Sequence, residues 1–265
     1  MSETNVIRTE VTERVGVITL NRPETRNALN HALMTALDEA VASMAEDPEV
    51  KVVVLTGAAP EGRQGGFCSG GDTKIDIGAP SAGVPMAPLE GDLARHETHA
   101  AMRLHLMAKP TIAMVGGPAV GAGFSLAGAC DLRFASEEAV FATNFTVNGL
   151  SGDYGGSLFW TQNVGTAMAR RLYLLNERFD AHSALELGLV HAVVPAADLE
   201  AHTMEVASRL VRTPAALLAL VKDNLNQAAH ELEHRRLVFA TEAANQAQAG
   251  RLIAARMKKR AAKDT

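Results

Sequence analysis

Between residues 110 and 130 the chain carries no charged side chain. Such a run is long enough to cross a bilayer, which takes ~20 apolar residues. Gly116, Gly117, Pro118, Gly121, Gly123 and Gly128 cut it up, however, with the proline near its middle. A run interrupted in this way reads as a buried strand, a tight turn and a buried helix in succession. Burying that much uncharged chain demands a large core around it. The 265 residues, 47% of them apolar, suffice for one large domain or one domain with a small appendage. A formal charge of −5, from 25 Lys+Arg against 30 Asp+Glu, excludes general disorder and offers no basic face to a nucleic acid. Cys68 and Cys130 are too few for a disulfide framework and read as reduced thiols. The first ten residues are polar and lack the apolar centre of a signal peptide. The expectation is a soluble, cytoplasmic protein.

The hydrophobic period changes along the chain. Residues 15–20 (VGVITL) read as a strand closed by a turn at Asn21, Arg22 and Pro23. Leu29, Leu33, Leu37 and Val41 then recur every four residues, which predicts an amphipathic helix with Asn27 as its cap. The β-branched run 50–56 predicts a buried strand, as do 111–115 and 132–135, with helices over 92–107 and 124–129 between them. Strand alternating with helix implies right-handed crossovers and a mainly parallel sheet. Past residue 197 only helical signals continue, over 199–212, 214–230 and 231–263. That change divides the chain into a core, 1–197, and a helical C-terminal region, 198–265. Residues 80–88 (PSAGVPMAP) read as a loop.

Three glycine-rich segments mark places where backbone must approach something closely: 65–72 (GGFCSGGD), 116–123 (GGPAVGAG) and 149–156 (GLSGDYGG). The second follows a strand and opens a helix, yet it lacks the third glycine of a dinucleotide fingerprint and the Gly-Lys-Ser/Thr of a P-loop. A helix beginning there points free N–H groups outward, together with the positive end of its dipole. Paired with an N–H from the turn at 69–72, such a group can hold a carbonyl oxygen on which negative charge develops, as in a thioester becoming an enolate.

Taken together, these segments resemble the crotonase superfamily, the enoyl-CoA hydratase/isomerase family. The resemblance rests on Asn21-Arg-Pro23 with Arg26-Asn-Ala-Leu29, Phe67-Cys-Ser-Gly-Gly-Asp72, Lys109-Pro-Thr-Ile-Ala113 leading into Gly121-Ala-Gly123, and Cys130-Asp-Leu132. Gly155-Gly156, Val164-Gly165 and Ala184-Leu-Glu-Leu-Gly-Leu-Val190 complete it, in family order and spacing. It implies an α/β fold built as a spiral of ββα turns with a C-terminal helical region that packs trimers, often paired into hexamers. It also implies an acyl-CoA substrate and no cofactor beyond the coenzyme A that the substrate carries. Carried over by position, the oxyanion donors are the N–H groups of Gly71 and Ala122. Ser69, Gly70, Asp72 and Thr73 line the adenine and pantetheine path, Arg26 and Ala28 lie near the CoA phosphates and pantetheine, and Gly123 belongs to the second oxyanion segment.

The acid/base positions depart from the family pattern. Similar hydratases carry a glutamate in the helix after the second oxyanion segment and another further along, where this chain has Ser125 and Phe145. Hydration needs a water activated on one side and a proton delivered to the α-carbon, which neither residue provides as a carboxylate does. Asp153 remains, at a position resembling the aspartate of family isomerases, where one carboxylate can move a proton between carbons. It can equally cap the following helix. Asn148 and Trp160 can shape the acyl pocket, Trp160 more simply as core. His96, His99 and His105 lack an obvious fourth ligand type for a metal site. Cys68 has no histidine placed to activate it. The basic tail at Arg256, Lys258, Lys259 and Arg260 reads as solvated, or as reaching a CoA phosphate across a subunit boundary. Double-bond isomerisation by Asp153 is the leading expectation. Hydration with Asp153 and Ser125, or a degenerate CoA- or RNA-binding relative, stand as alternatives.

Overall fold

The structure, a computed structural model, describes residues 5–62, 65–72 and 99–229, together with 240–241, 244–245 and 251. Nine strands are present among them. They are β1 (Ile7–Thr12), β2 (Val15–Leu20), β3 (Val52–Gly57), β4 (Thr111–Val115), β5 (Pro118–Val120), β6 (Leu132–Ser136), β7 (Val140–Ala142), β8 (Phe179–Asp180) and β9 (Ala192–Val194). The helices are α1 (His31–Glu46), α2 (Ala100–Leu106), α3 (Ala122–Ala129), α4 (Gly156–Leu175), α5 (Ala181–Glu186), α6 (Leu199–Val211) and α7 (Ala215–Ala229). Six strands form one sheet in the order β1-β2-β3-β4-β6-β9, antiparallel only at β1–β2. A smaller sheet runs β5-β7-β8.

Every residue of β3 is buried because the large sheet is covered on both faces. Val53 and Leu55 face a core shared with Leu33 and Leu37 of α1 and with Phe124 and Trp160. Val52 and Val54 face the opposite side, where Leu199 and Ala207 of α6 pack with Ile112 and Phe134. The residues just past 197 thus cover one face of the same sheet. The uncharged run resolves into β4, β5 and α3, the last buried along its whole length. No helix among the described residues is long and apolar enough to cross a membrane.

Some local expectations need correction. The cap of α1 is Asn30, whose side chain accepts the Leu33 N–H at 2.9 Å, so the helix begins at His31 and Asn27 lies outside it. The helix predicted over 92–107 is seen as Ala100–Leu106, with 92–98 outside the described residues. The loop at 80–88, His96, Thr73, the basic tail and nearly all of the helix expected over 231–263 also lie outside them.

α7 is tied to the core by a buried polar knot. Lys222 Nζ donates to the carbonyls of Leu104 (3.0 Å) and Lys109 (3.1 Å) and to Asp131 Oδ2 (2.7 Å). The same carboxylate oxygen accepts the N–H and hydroxyl of Thr111 at 2.7 and 3.0 Å.

Candidate active site

Three distant stretches of chain are laced together by main-chain hydrogen bonds. Leu29 N–H donates to the Gly70 carbonyl (2.7 Å), Asp72 N–H to Leu29 (3.0 Å) and Ser69 N–H to Arg26 (3.0 Å). On the other side, Cys68 N–H donates to Pro118 (3.0 Å) and Val120 N–H to Cys68 (3.0 Å). The first and second glycine-rich segments therefore lie side by side. A Cβ on Gly123 would stand 2.1 Å from the Cys68 carbonyl oxygen, so only glycine permits this approach.

That lacing aims two peptide groups. In a trans peptide the C=O and N–H point in opposite directions. The Gly70 carbonyl is bonded inward to Leu29, so the N–H of Gly71 points away from that strut. A Cβ built on Gly71 would meet no atom within 4 Å. The Gly121 carbonyl is likewise held from within α3, by the Ser125 N–H at 3.1 Å and the Ser125 hydroxyl at 3.4 Å. The N–H of Ala122, first residue of α3, is thereby turned outward. Neither N–H has an acceptor among the described residues. Gly121 sits at φ 56°, ψ −124°, a conformation open in practice only to glycine. The positive end of the α3 dipole adds to the field at the Ala122 amide.

The third segment makes a tight turn with positive φ at Gly152 (130°), Tyr154 (54°) and Gly155 (68°). Left-handed backbone at a tyrosine costs about 1 kcal/mol, offset here by burial of the ring and its edge-to-face contact with His99 at 4.1 Å between centroids. Asp153 is half-buried in this turn, and its charge acts on both the Cys68 thiol and the Tyr154 hydroxyl. The cap position of α4 belongs to Gly155, and the Asp153 carbonyl accepts the Gly156 N–H at 3.1 Å. Burial first, and then the charges of Asp153, Asp38 and Cys68, push the Tyr154 hydroxyl well above its ordinary value. It stays protonated. Burial, with a smaller contribution from Asp153, also pushes the Cys68 thiol up to about 12, so this cysteine is a packing residue rather than a nucleophile.

The sequence-predicted residues distribute as follows. Gly71, Ala122, Gly70, Ser69 and Gly123 come together at the laced segments, and Ala28 and Arg26 adjoin them through Leu29 and Ser69. The Arg26 side chain is exposed and Ala28 is buried. Asp72 forms an ion pair with Arg22 at 3.0 Å. Asn148 lies exposed on a short 3-10 turn, its amide donating to the Asn144 carbonyl at 2.7 Å. Trp160 is fully buried, stacked on Phe124 at 4.1 Å. Ser125 is fully buried, and Phe145 is 4% exposed, its ring beside Gly121 and stacked on Tyr173. His99 caps α2, its ring nitrogen accepting the Ala101 N–H at 3.4 Å.

Two supports escaped the sequence reading. Arg22 bridges the Ala28 carbonyl (2.5 Å) and Asp72, clamping the turn that carries Gly71. Fully buried Asn27 accepts the Arg22 N–H (2.9 Å) and donates to the Ala58 carbonyl (3.0 Å). Both lie within motifs that carry the resemblance, but nothing local reveals partners so far away in sequence.

A family model described as enoyl-CoA hydratase/isomerase matches residues 10–254. A Rhodobacter capsulatus protein named probable enoyl-CoA hydratase is 37% identical over 218 residues, 82% of this chain and 80% of its own. The short-chain-enoyl-CoA hydratase of Clostridium acetobutylicum is 31% identical over 242 residues, 91% of this chain and 88% of its own. Among solved structures, an enoyl-CoA hydratase from Mycobacterium avium subsp. paratuberculosis superposes with a TM-score of 0.78 at 33% identity. That match covers 94% of this chain and 95% of the other.

Proposed function

The chain belongs to the enoyl-CoA hydratase/isomerase family, and from that premise we propose that this crotonase-type enzyme migrates a double bond within an acyl-CoA thioester, using Asp153 as its proton carrier. The observation that carries the reading is the make-up of the site's acid/base positions. Buried Ser125 and Phe145 stand beside the second oxyanion peptide where similar hydratases hold glutamates, which leaves half-buried Asp153, in the third glycine-rich turn, to carry the proton.

In this mechanism the thioester oxygen accepts from the N–H groups of Gly71 and Ala122. Asp153 removes a proton from a carbon next to the conjugated system, and the electron pair moves onto the oxygen as an enolate. The same carboxyl group returns the proton at the other end, so no atom is gained or lost. Arg26, Ala28, Ser69, Gly70, Asp72 and Thr73 serve the coenzyme A portion, and Asn148 the acyl end. The chemistry needs no cofactor beyond the substrate's own coenzyme A. A homotrimer, or a dimer of trimers, in the cytoplasm completes the proposal.

Asp153→Asn is expected to bind acyl-CoA normally and to lose turnover, read by steady-state kinetics over a panel of enoyl-CoAs. An unchanged rate across that panel overturns the assignment. Similarity to proteins named enoyl-CoA hydratase favours hydration as the second reading. Solvent oxygen-18 appearing in a 3-hydroxyacyl product decides for hydration.

A further inference from the structure

We propose that Ser125 is a positioning residue that aims and strengthens the Ala122 amide. The inference rests on the reading of that amide as a thioester donor. Ser125 is fully buried, so it acts through another group. Its N–H and its hydroxyl both donate to the Gly121 carbonyl, at 3.1 and 3.4 Å. The carbonyl is one end of the peptide whose other end is the Ala122 N–H. Two donors on the oxygen polarise the peptide and make its N–H a better donor, as bonds in a chain reinforce one another. They also oppose rotation of the peptide, which the unusual ψ of −124° at Gly121 leaves open to glycine.

The opposite side of the serine is equally defined. A Cβ on Gly156 would stand 2.1 Å from Ser125 Oγ, 2.9 Å from its Cβ and 2.3 Å from the Tyr173 hydroxyl. Only a glycine at 156 leaves this space for the two hydroxyls. A position that holds an acid in similar hydratases thus serves here to orient the peptide group that meets the substrate.

The test uses a saturated thioester, butyryl-CoA labelled with carbon-13 at the carbonyl, bound to the intact enzyme and read by isotope-edited infrared difference spectra. In the wild type the carbonyl stretch is expected to drop on binding. Ser125→Ala is expected to lose a measurable part of that drop, about 10–30%. Its kcat falls about five- to tenfold while KM stays within about twofold. Ser125→Cys fills the space with a weak donor, carries the test should the alanine variant fold poorly, and is expected to track Ser125→Ala. A cysteine variant with wild-type frequency and kcat means that packing alone matters and overturns the proposal, as does a full drop in Ser125→Ala. Absence of any drop in the wild type is a different failure, that of the oxyanion reading itself.

Discussion

Ala122→Pro removes from the candidate site the N–H on which its chemistry depends. Ala122 is the first residue of α3, and its N–H has no acceptor among the described residues. Proline is well tolerated at this helix position, because its missing N–H is one that the helix does not use. The preceding residue must avoid the helical region before a proline, and Gly121 at ψ −124° already does so. Ala122 is buried, so fitting the ring is expected to cost the fold about 1–3 kcal/mol, still less than the ~5–15 kcal/mol that holds a domain together. Turnover behaves differently. Deleting one oxyanion donor costs ~3–4 kcal/mol in the transition state, about 10²–10³ in kcat. The proline ring also occupies the space toward which the N–H pointed, which weakens binding as well. Ala122→Gly keeps the hydrogen and is expected to retain kcat within about threefold. The assay pairs steady-state kcat and KM on an enoyl-CoA with thermal melts of the three proteins. A proline variant that folds normally and turns over within tenfold of the wild type refutes the placement of the donor.

Two other outcomes follow from structure outside the site. Lys222→Met leaves Asp131 and two carbonyls without their cation, and is expected to cost about 2–4 kcal/mol, near the low end for a buried pair because Asp131 keeps some exposure. Adding Asp131→Asn recovers part of that loss, and an unchanged melting temperature in the single variant removes the knot from the stability argument. His191 is held below its ordinary value of 6.5, first by burial and then by the Arg133 charge, and its Nδ1 accepts the Arg133 N–H at 3.0 Å. With the folded value lower than the unfolded one, its contribution is complete above 6.5 and is lost as pH falls through the folded value. His191→Gln is expected to flatten the acid side of a melting-temperature profile; parallel profiles for the two proteins contradict this.

The glycine-rich segments were legible because close approach of backbone leaves a compositional mark. Phe67 to Asp72 and Gly121 to Gly123 meet as their sequences suggest, and the period-four stripe of α1 faces the core as expected. Asn27 misled because an asparagine ahead of a helical stripe signals a cap whether or not it makes one. Its amide is spent instead on Arg22 and Ala58, the latter 31 residues away. The strands β5, β7 and β8 span only two or three residues and carry no periodicity to detect. Lys222 and Asp131, 91 residues apart, and Arg22 and Asp72, 50 apart, illustrate the general limit. A hydrophobic pattern says which face is buried, but the pairing of charges across the fold is settled only when the sheets take their register.

The lacing of residues 26–29, 68–72 and 118–121 has a consequence for how such a centre comes and goes. The middle stretch, 68–72, exchanges hydrogen bonds with each of the other two, which meet only through it. Closing the intervening loops precedes any reward from these contacts, so a half-assembled chain contains no crude precursor of the centre to be refined later. The centre therefore exists only where all three have been drawn together, and loosening the middle one releases both of its neighbours.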